Sequence, residues 1–459
     1  MKNTVKASNS NVTKKPNIVF VFADQWRQQA TGFNGDCNVK TPNLDALAQS
    51  SINLTNAVSS CPVCTPYRAS LLTGQFPLTH GLFTNDVPLN PEITGLGDAF
   101  KAGGYNTAYI GKWHVDGQGR QTYIPPERRK GFDYWKVLEC THRYENSPYY
   151  SGDSTELKYW DGYDAIAQTK DACQYLADYA EEEPFLLVLS WGPPHDQNVT
   201  PKVADDWYFG APPQYRALYD EHDIKLRPNV LSSETDAAKK LEGYYAHCTA
   251  LDDCMGDLLA TLESRNMSKD TIVVFTSDHG DMLGSHGKGQ KQAPWEESIR
   301  VPFLLRYPAL FGEKGESTNI VIDAPDIMPT LLGLAELDIP DSVEGINYQP
   351  HLLGEKDMSD EPALIACYDL SGSGYYTAEM GGRDYRGLRT KRYTYVREIN
   401  GPWLLFDNES DLYQLNNIIN TPAAAEIQQE LDELLNRKLQ ERNDEFLSGS
   451  EYREKWGYQ

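Results

Sequence analysis

Cys64, Pro66 and Arg68 stand together at the head of the stretch Cys64-Thr65-Pro66-Tyr67-Arg68-Ala69-Ser70-Leu71-Leu72-Thr73-Gly74. Pro66 suits the first turn of a helix, where its missing N–H leaves no hydrogen bond unmade, and Ala69 to Leu72 continues that helix. Cys64 then falls at or just before a helix N-terminus, where free backbone N–H groups and the positive end of the dipole favour an anion. Arg68, four residues on, lies about one turn above Cys64 on the same face and offers a fork of donors to an oxyanion. Read this way the stretch is a nucleophile turn; the plainer reading is a structural cysteine ahead of an ordinary helix. Cys61-Pro62-Val63-Cys64 also spells C-x-x-C. No second C-x-x-C follows it, which weighs against redox and zinc chemistry.

Four short apolar runs deliver further polar side chains. Asn17 to Ala23 ends in Asp24-Gln25, and Tyr105 to Ile110 runs into Gly111-Lys112-Trp113-His114. Phe185 to Ser190 leads to Pro193-Pro194-His195, and Thr271 to Thr276 reaches Asp278-His279-Gly280-Asp281. Runs rich in β-branched and aromatic residues read as buried strands. In a parallel sheet their carboxyl ends share the edge where ligands bind. Two carboxylates with amide or imidazole partners make a site for a divalent cation, and the oxygen-rich set favours Ca²⁺ or Mg²⁺ over zinc. The cation, Arg68, Lys112 and Lys291 would supply positive charge, which points to an anionic tetrahedral substrate, a sulfate or phosphate ester.

That local charge matters because the chain as a whole is acidic. Its 459 residues carry a net charge of −24, which excludes a nucleic-acid partner, since no basic stripe offsets it. The 28 tyrosines and nine tryptophans suit a protein that presents ring faces to a polar ligand. No apolar run is long enough to span a membrane. Met1 to Pro16 is polar and lysine-containing without an apolar segment, so residues 1–16 are expected to be disordered. The expected compartment is the cytoplasm, or the periplasm or exterior if a signal has been removed. Eight scattered cysteines are too few for a disulfide scaffold at this length.

Around the four strands, Thr41-Pro42 opens a helix to Ala48, and Ser233 to Arg265 repeats apolar residues with a helical period. Strands alternating with helices predict an α/β fold with a large, mostly parallel central sheet flanked by helices, over residues 17–364. From about residue 365, tyrosine-rich alternation (Tyr368 to Arg397) and a final helix from Thr421-Pro422 predict a smaller C-terminal α+β subdomain, 365–459, with an antiparallel sheet. Residues 115–180 read as a long surface excursion.

Taken together these motifs resemble the type I sulfatases of the alkaline-phosphatase-like superfamily. Cys64-Thr65-Pro66-Tyr67-Arg68 with Leu72-Thr73-Gly74 is similar to the C-x-P-x-R signature and its trailing T-G. Gly111 to His114, Pro193 to His195, Ser277 to Asp281 and Lys291 to Pro302 (KQAPWEESIRVP) match supporting motifs, as do Arg389 to Tyr393 and Asp411 to Leu415. The resemblance implies that Cys64 is oxidised to formylglycine by a formylglycine-generating or sulfatase-maturating enzyme. The hydrate would attack sulfur, then collapse to the aldehyde and expel sulfate, a route closed to a thiosulfate ester. It implies Ca²⁺ (or Mg²⁺) at Asp24, Gln25, Cys64, Asp278 and His279, with Gln25 and His279 departing from the commoner Asp and Asn ligands. It implies His114 as the base of the second step, His195 with Lys291 as acid to the leaving alcohol, and Arg68 and Lys112 as charge stabilisers.

Two rivals accompany this reading: a phosphonate monoester or phosphodiester hydrolase of the same superfamily, and a non-catalytic sulfoglycan-binding protein. The expected leaving group is a sulfated saccharide from a polysaccharide. Rings and cations in the excursion, the loop after Gly74 and the C-terminal subdomain are its candidate contacts: Asn85, Trp113, His142, Arg143, Tyr144, Trp160, Arg383, Arg386 and Trp403.

Overall fold

The computed structural model describes residues 15–197, 209–219, 223–370 and 381–458. Residues 1–14 of the expected disordered segment lie outside these, whereas Lys15 and Pro16 are tied down, Lys15 Nζ to Gly103 O and Pro16 O to the Tyr105 hydroxyl. Ten strands form one sheet: β1 (Asn17–Asp24), β2 (Ile52–Val58), β3 (Asn106–Lys112), β4 (Tyr134–Leu138), β5 (Pro148–Ser151), β6 (Lys158–Tyr159), β7 (Phe185–Pro194), β8 (Thr271–Ser277), β9 (Leu304–Arg306) and β10 (Glu316–Asp323). Their order is β10-β2-β9-β8-β1-β7-β3-β4-β5-β6. The block β8-β1-β7-β3-β4 is parallel throughout, while β9 and β5 run against their neighbours, so the sheet is mixed around a parallel centre.

The central strands are apolar on both faces because both faces are covered. In β1, Ile18, Phe20 and Phe22 enter one core with Leu186 and Val188 of β7 and Ile272 and Val274 of β8. Val19, Val21 and Ala23 enter the opposite core with Leu187, Leu189, Val273 and Phe275. A two-residue period thus feeds two layers. The second core is closed by the long helix Ala237–Ser264, whose Leu241, Tyr244, Cys248, Leu251, Met255, Leu258 and Leu262 all point inward as their spacing predicts. The first is closed by Cys64–Thr73 and Ala324–Leu334. Among the described residues no helix is long and apolar enough to cross a membrane.

The second sheet is antiparallel, β11 (Ala363–Cys367), β12 (Tyr385–Arg389), β13 (Tyr393–Glu398) and β14 (Gly401–Asp407), in sequential order. It starts at Ala363, so the expected boundary at 364/365 cuts its first strand. Helix Ala425–Glu441 packs Leu431, Leu435 and Leu439 on it, and a short helix, Gly449–Trp456, follows. Arg389 of β12 is the joint to the main sheet: it forks onto Glu296 at 2.7 and 3.1 Å and reaches Asn56 of β2 at 3.2 Å.

The excursion 115–180 is more ordered than its composition predicts. It holds β4 to β6 and the helix Asp164–Asp178. That helix buries Ala165, Gln168, Thr169, Ala172 and Leu176. Small and polar residues fill its inner face, so the helical period is present without the apolar contrast that makes a period visible. β2 hides similarly, because Asn53, Thr55 and Asn56 interrupt its apolar run.

Candidate active site

The four predicted strand ends belong to adjacent strands, in the order β8-β1-β7-β3, so the sheet brings their polar residues together. The helix Cys64–Thr73 runs across that edge. All ten of its residues are buried, Cys64 begins it, and Gly74 ends it in the left-handed conformation (φ 66°) with its N–H on Ser70 O. Cys64 has Val63 as its N-cap, without a side-chain cap. Asn85 supplies one from outside the helix, its Oδ1 accepting from Thr65 N at 3.0 Å. Asn85 thus touches the helix of Cys64 directly.

Around Cys64 Sγ stand Lys291 Nζ at 3.1 Å, His279 Nε2 at 3.4 Å and Asp24 Oδ1 at 3.5 Å. Asp24, Cys64, Asp278 and His279 place one ligand atom each within 4.8 Å of one another, all buried. His279 gives Nδ1 to Gly280 O at 2.9 Å, which turns Nε2 into the cluster. Gly280 allows this turn because a Cβ there would lie 2.0 Å from Glu297 O. Gln25, in the left-handed region at φ 70°, donates its backbone N to Asp278 Oδ1 at 3.0 Å, and its Oε1 is buried without a partner. Two carboxylates and an imidazole nitrogen beside residue 64, with the orphaned amide oxygen of Gln25 on the residue after Asp24, fit a hard divalent cation.

Cations frame these acids. Arg68 Nη2 reaches Asp24 at 3.3 Å and Asp278 at 3.0 Å, and Nη1 reaches Ser190 Oγ and Lys112 O. Lys112 Nζ meets Asp24 Oδ2 at 2.5 Å. Burial pushes the Asp24 carboxyl up, but Lys112, His195, Lys291 and Arg68 together hold it well below the usual range. Burial and Asp24 likewise oppose the Cys64 thiolate, and Lys112, Lys291 and His279 overcome them, holding this thiol well below its ordinary value. The site stabilises negative charge at residue 64.

His195 follows β7 and puts Nε2 2.9 Å from Lys291 Nζ. His142 stacks on it, ring centroids 4.2 Å apart, so this excursion residue does reach the site. His114, at φ 59°, is buried, with Nε2 3.2 Å from Asp86 Oδ1. Arg120 clamps Asp86 at 3.1 and 2.7 Å. Burial and Lys112 oppose charge on His114, but Cys140 and the Asp86 hydrogen bond hold its pKa well above the ordinary 6.5. If His114 acts as a base, the acid limb of kcat against pH should lie above 6.5. Asp86→Asn removes an anionic partner of the imidazolium, so the limb should move to lower pH; an unmoved limb would assign it to another group.

Other expected contacts are placed elsewhere. Trp113 is 1% exposed and sits in a core of Tyr109, Phe132 and Trp135. Tyr144 is buried with its hydroxyl on Gly192 O. Trp160 stacks on Tyr149 and donates to Asp171. Arg386 is fully buried, pairs with Asp444 at 2.5 Å and lies over Tyr368 at 3.9 Å. Each is packing, not lining: aromatic and Arg counts alone do not separate the two roles. Arg386→Ala would strand Asp444 in the interior, a loss of about 3–5 kcal/mol in urea unfolding, with KM of the folded enzyme unchanged. Arg143 is exposed and donates to Glu145 O. Arg383 covers the Trp403 ring at 4.8 Å and pairs with Glu398, and Trp403 meets Trp295, four residues from Lys291.

Sequence reasoning gave no role to Asp86, Ser190, Asp196 or Asp281. Asp281 had a signal, its place in the quoted Asp-His-Gly-Asp run; the others are single polar residues that only the fold brings in.

Comparison with known proteins identifies the family. The sulfatase family model matches residues 16–337, and the model for the C-terminal part of N-sulphoglucosamine sulphohydrolase matches 284–441. An ulvan-active sulfatase from Formosa agariphila is 46% identical over 97% of this chain and 85% of its own. An endo-4-O-sulfatase from Bacteroides thetaiotaomicron is 32% identical over 88% of each. A solved Bacteroides thetaiotaomicron structure from work on glycosaminoglycan metabolism superposes with a TM-score of 0.83 at 30% identity, covering 96% of this chain and 98% of that one. A family model over most of the chain and a relative at 46% identity show the same thing: this chain belongs to the sulfatase family and is a sulfuric ester hydrolase.

Proposed function

We propose that this enzyme removes sulfate from sugars of a sulfated polysaccharide, using residue 64 as formylglycine and a Ca²⁺ ion (Mg²⁺ in its place) bound by Asp24, Gln25, Asp278, His279 and residue 64. The observation that carries the reading is the surroundings of Cys64 Sγ: Lys291, His279 and Asp24 lie within 3.5 Å, with Arg68 and Lys112 behind Asp24. The metal supplies Lewis-acid polarisation of the sulfate oxygens. A formylglycine hydrate supplies an oxygen nucleophile that can release sulfate by returning to the aldehyde.

The chain's own residues do the rest. Arg68 and Lys112 hold negative charge at the sulfuryl group through donors already fixed by Asp24, Asp278 and Ser190. His195, paired with Lys291, delivers the proton to the departing alcohol oxygen. His114, held by Asp86, takes the proton from the second hydroxyl of residue 64. The sugar assignment rests on the relatives, one active on ulvan and one an endo-4-O-sulfatase. It rests also on the Arg383–Trp403 face beside the Lys291 loop, a ring and a cation suited to a charged sugar. A maturating enzyme that oxidises Cys64 is the partner this requires.

Sulfated oligosaccharides assayed with product analysis test it, after mass spectrometry has shown the aldehyde at residue 64. Release of inorganic sulfate from a saccharide faster than from 4-nitrophenyl sulfate is expected. Turnover of 4-nitrophenyl phosphate above the sulfate ester would overturn the reading.

A further inference from the structure

His195 and Gln25 face the reaction from different strands, and one buried carboxylate holds both. Asp196 Oδ1 lies 3.1 Å from His195 Nδ1 and 3.2 Å from Gln25 Nε2. Its Oδ2 accepts from Gln290 Nε2 at 3.2 Å. The Asp196 carbonyl oxygen is 2.9 Å from the same His195 Nδ1. Only acceptors face Nδ1 there, so Nδ1 carries a hydrogen, and Nε2 is the nitrogen turned toward Lys291.

The same bookkeeping fixes Gln25. A side-chain amide has two N–H donors, and both are spent on carboxylates, Asp196 at 3.2 Å and Asp281 Oδ2 at 2.7 Å. Its Oε1 must face the other way, and that oxygen is the buried atom without a protein partner. Turning the amide over would set its oxygen against two carboxylates. A glutamine is thereby made to present an oxygen as dependably as an aspartate would.

We propose that Asp196 is a positioning residue that sets, through one carboxylate, both the tautomer of the leaving-group acid and the orientation of the metal-ligating amide. It ties metal occupancy to protonation of the departing alcohol. Asp281 shares only the second task, because it touches Gln25 and not His195. The inference rests on the roles proposed above for His195 and Gln25.

The difference between the two acids makes the test. Metal-free protein is titrated with Ca²⁺ by calorimetry, and kcat/KM is measured on 4-nitrophenyl sulfate and on phenyl sulfate, whose leaving group is poorer. Asp196→Ala should weaken Ca²⁺ binding about 10- to 100-fold and widen the ratio of the two kcat/KM values about tenfold, since loss of an acid penalises the poorer leaving group. Asp281→Ala should weaken Ca²⁺ binding and leave the ratio unchanged. Asp196→Asn keeps an acceptor oxygen toward His195 and Gln25, and Gln290 can turn its amide to meet the new N–H₂, so Ca²⁺ affinity should stay within a few-fold of the parent. If the parent binds Ca²⁺ and turns over both esters while Asp196→Ala matches it in affinity, or loses both activities by one common factor, the inference fails and the proposed function stands. A parent that binds no Ca²⁺ overturns the site reading itself.

Discussion

Replacing Cys64 by serine, in a host that oxidises only cysteine, should lower kcat/KM by at least about 10⁴-fold, the scale on which losing a nucleophile acts. Serine fits: Cys64 is enclosed at 1% exposure and an oxygen is smaller than a sulfur. The helix, its Asn85 cap and the neighbouring cations would all remain. The loss is therefore chemical. A serine hydroxyl could be sulfated once, but it has no second hydroxyl from which His114 could withdraw a proton to release the sulfate. A single burst of alcohol without turnover is the diagnostic result, read by rapid-quench analysis and mass spectrometry of the Cys64 peptide. Sustained turnover by Cys64→Ser would refute the formylglycine route.

Asp24→Asn should cost almost as much, about 10³-fold in kcat/KM, equivalent to roughly 4 kcal/mol. The two oxygens of Asp24 have separate duties. Oδ2 accepts from Lys112 at 2.5 Å and Arg68 at 3.3 Å, while Oδ1 faces Cys64 and His279. Asparagine has one oxygen, so its N–H₂ must point either at two buried cations or into the metal cluster. Either choice removes the charge that offsets Lys112 in the interior, and stability should fall by about 3–5 kcal/mol. Calorimetric Ca²⁺ titration and urea unfolding of the variant read the two effects separately. Parental Ca²⁺ affinity in Asp24→Asn would remove Asp24 from the ligand set.

Asp24, Lys112, His195, Asp278 and His279 were legible because each follows a run whose type is plain from β-branched and aromatic residues, and parallel strands deliver their ends to one edge. Adjacency of β8, β1, β7 and β3 was not written in any one run, yet the function follows from it. The substrate contacts were less legible. Trp113 and Lys112 are neighbours in sequence, but on a strand end they point to opposite faces, one into a core and one into the site. Arg386 looks like a ligand clamp by type, and only its pairing with Asp444, 58 residues away, reveals a structural role. Asp86 and Asp196 carry no local signal, because a positioning residue is defined by what it touches.

The burial of the helix Cys64–Thr73 would set an order of events on the proposed formylglycine route. Every residue from Cys64 to Thr73 is buried, packed between the sheet and the helix Ala324–Leu334, and closed at its head by Asn85. On the proposed formylglycine route, an enzyme that oxidises the Cys64 thiol would have to act before that shell closes. Oxidation and folding would then be rivals for the same chain, and the faster would decide the fate of each molecule. A chain that closed first would then keep its thiol in a well-folded site. On that route the active fraction of a preparation would be a clock reading, set by how soon the helix is enclosed.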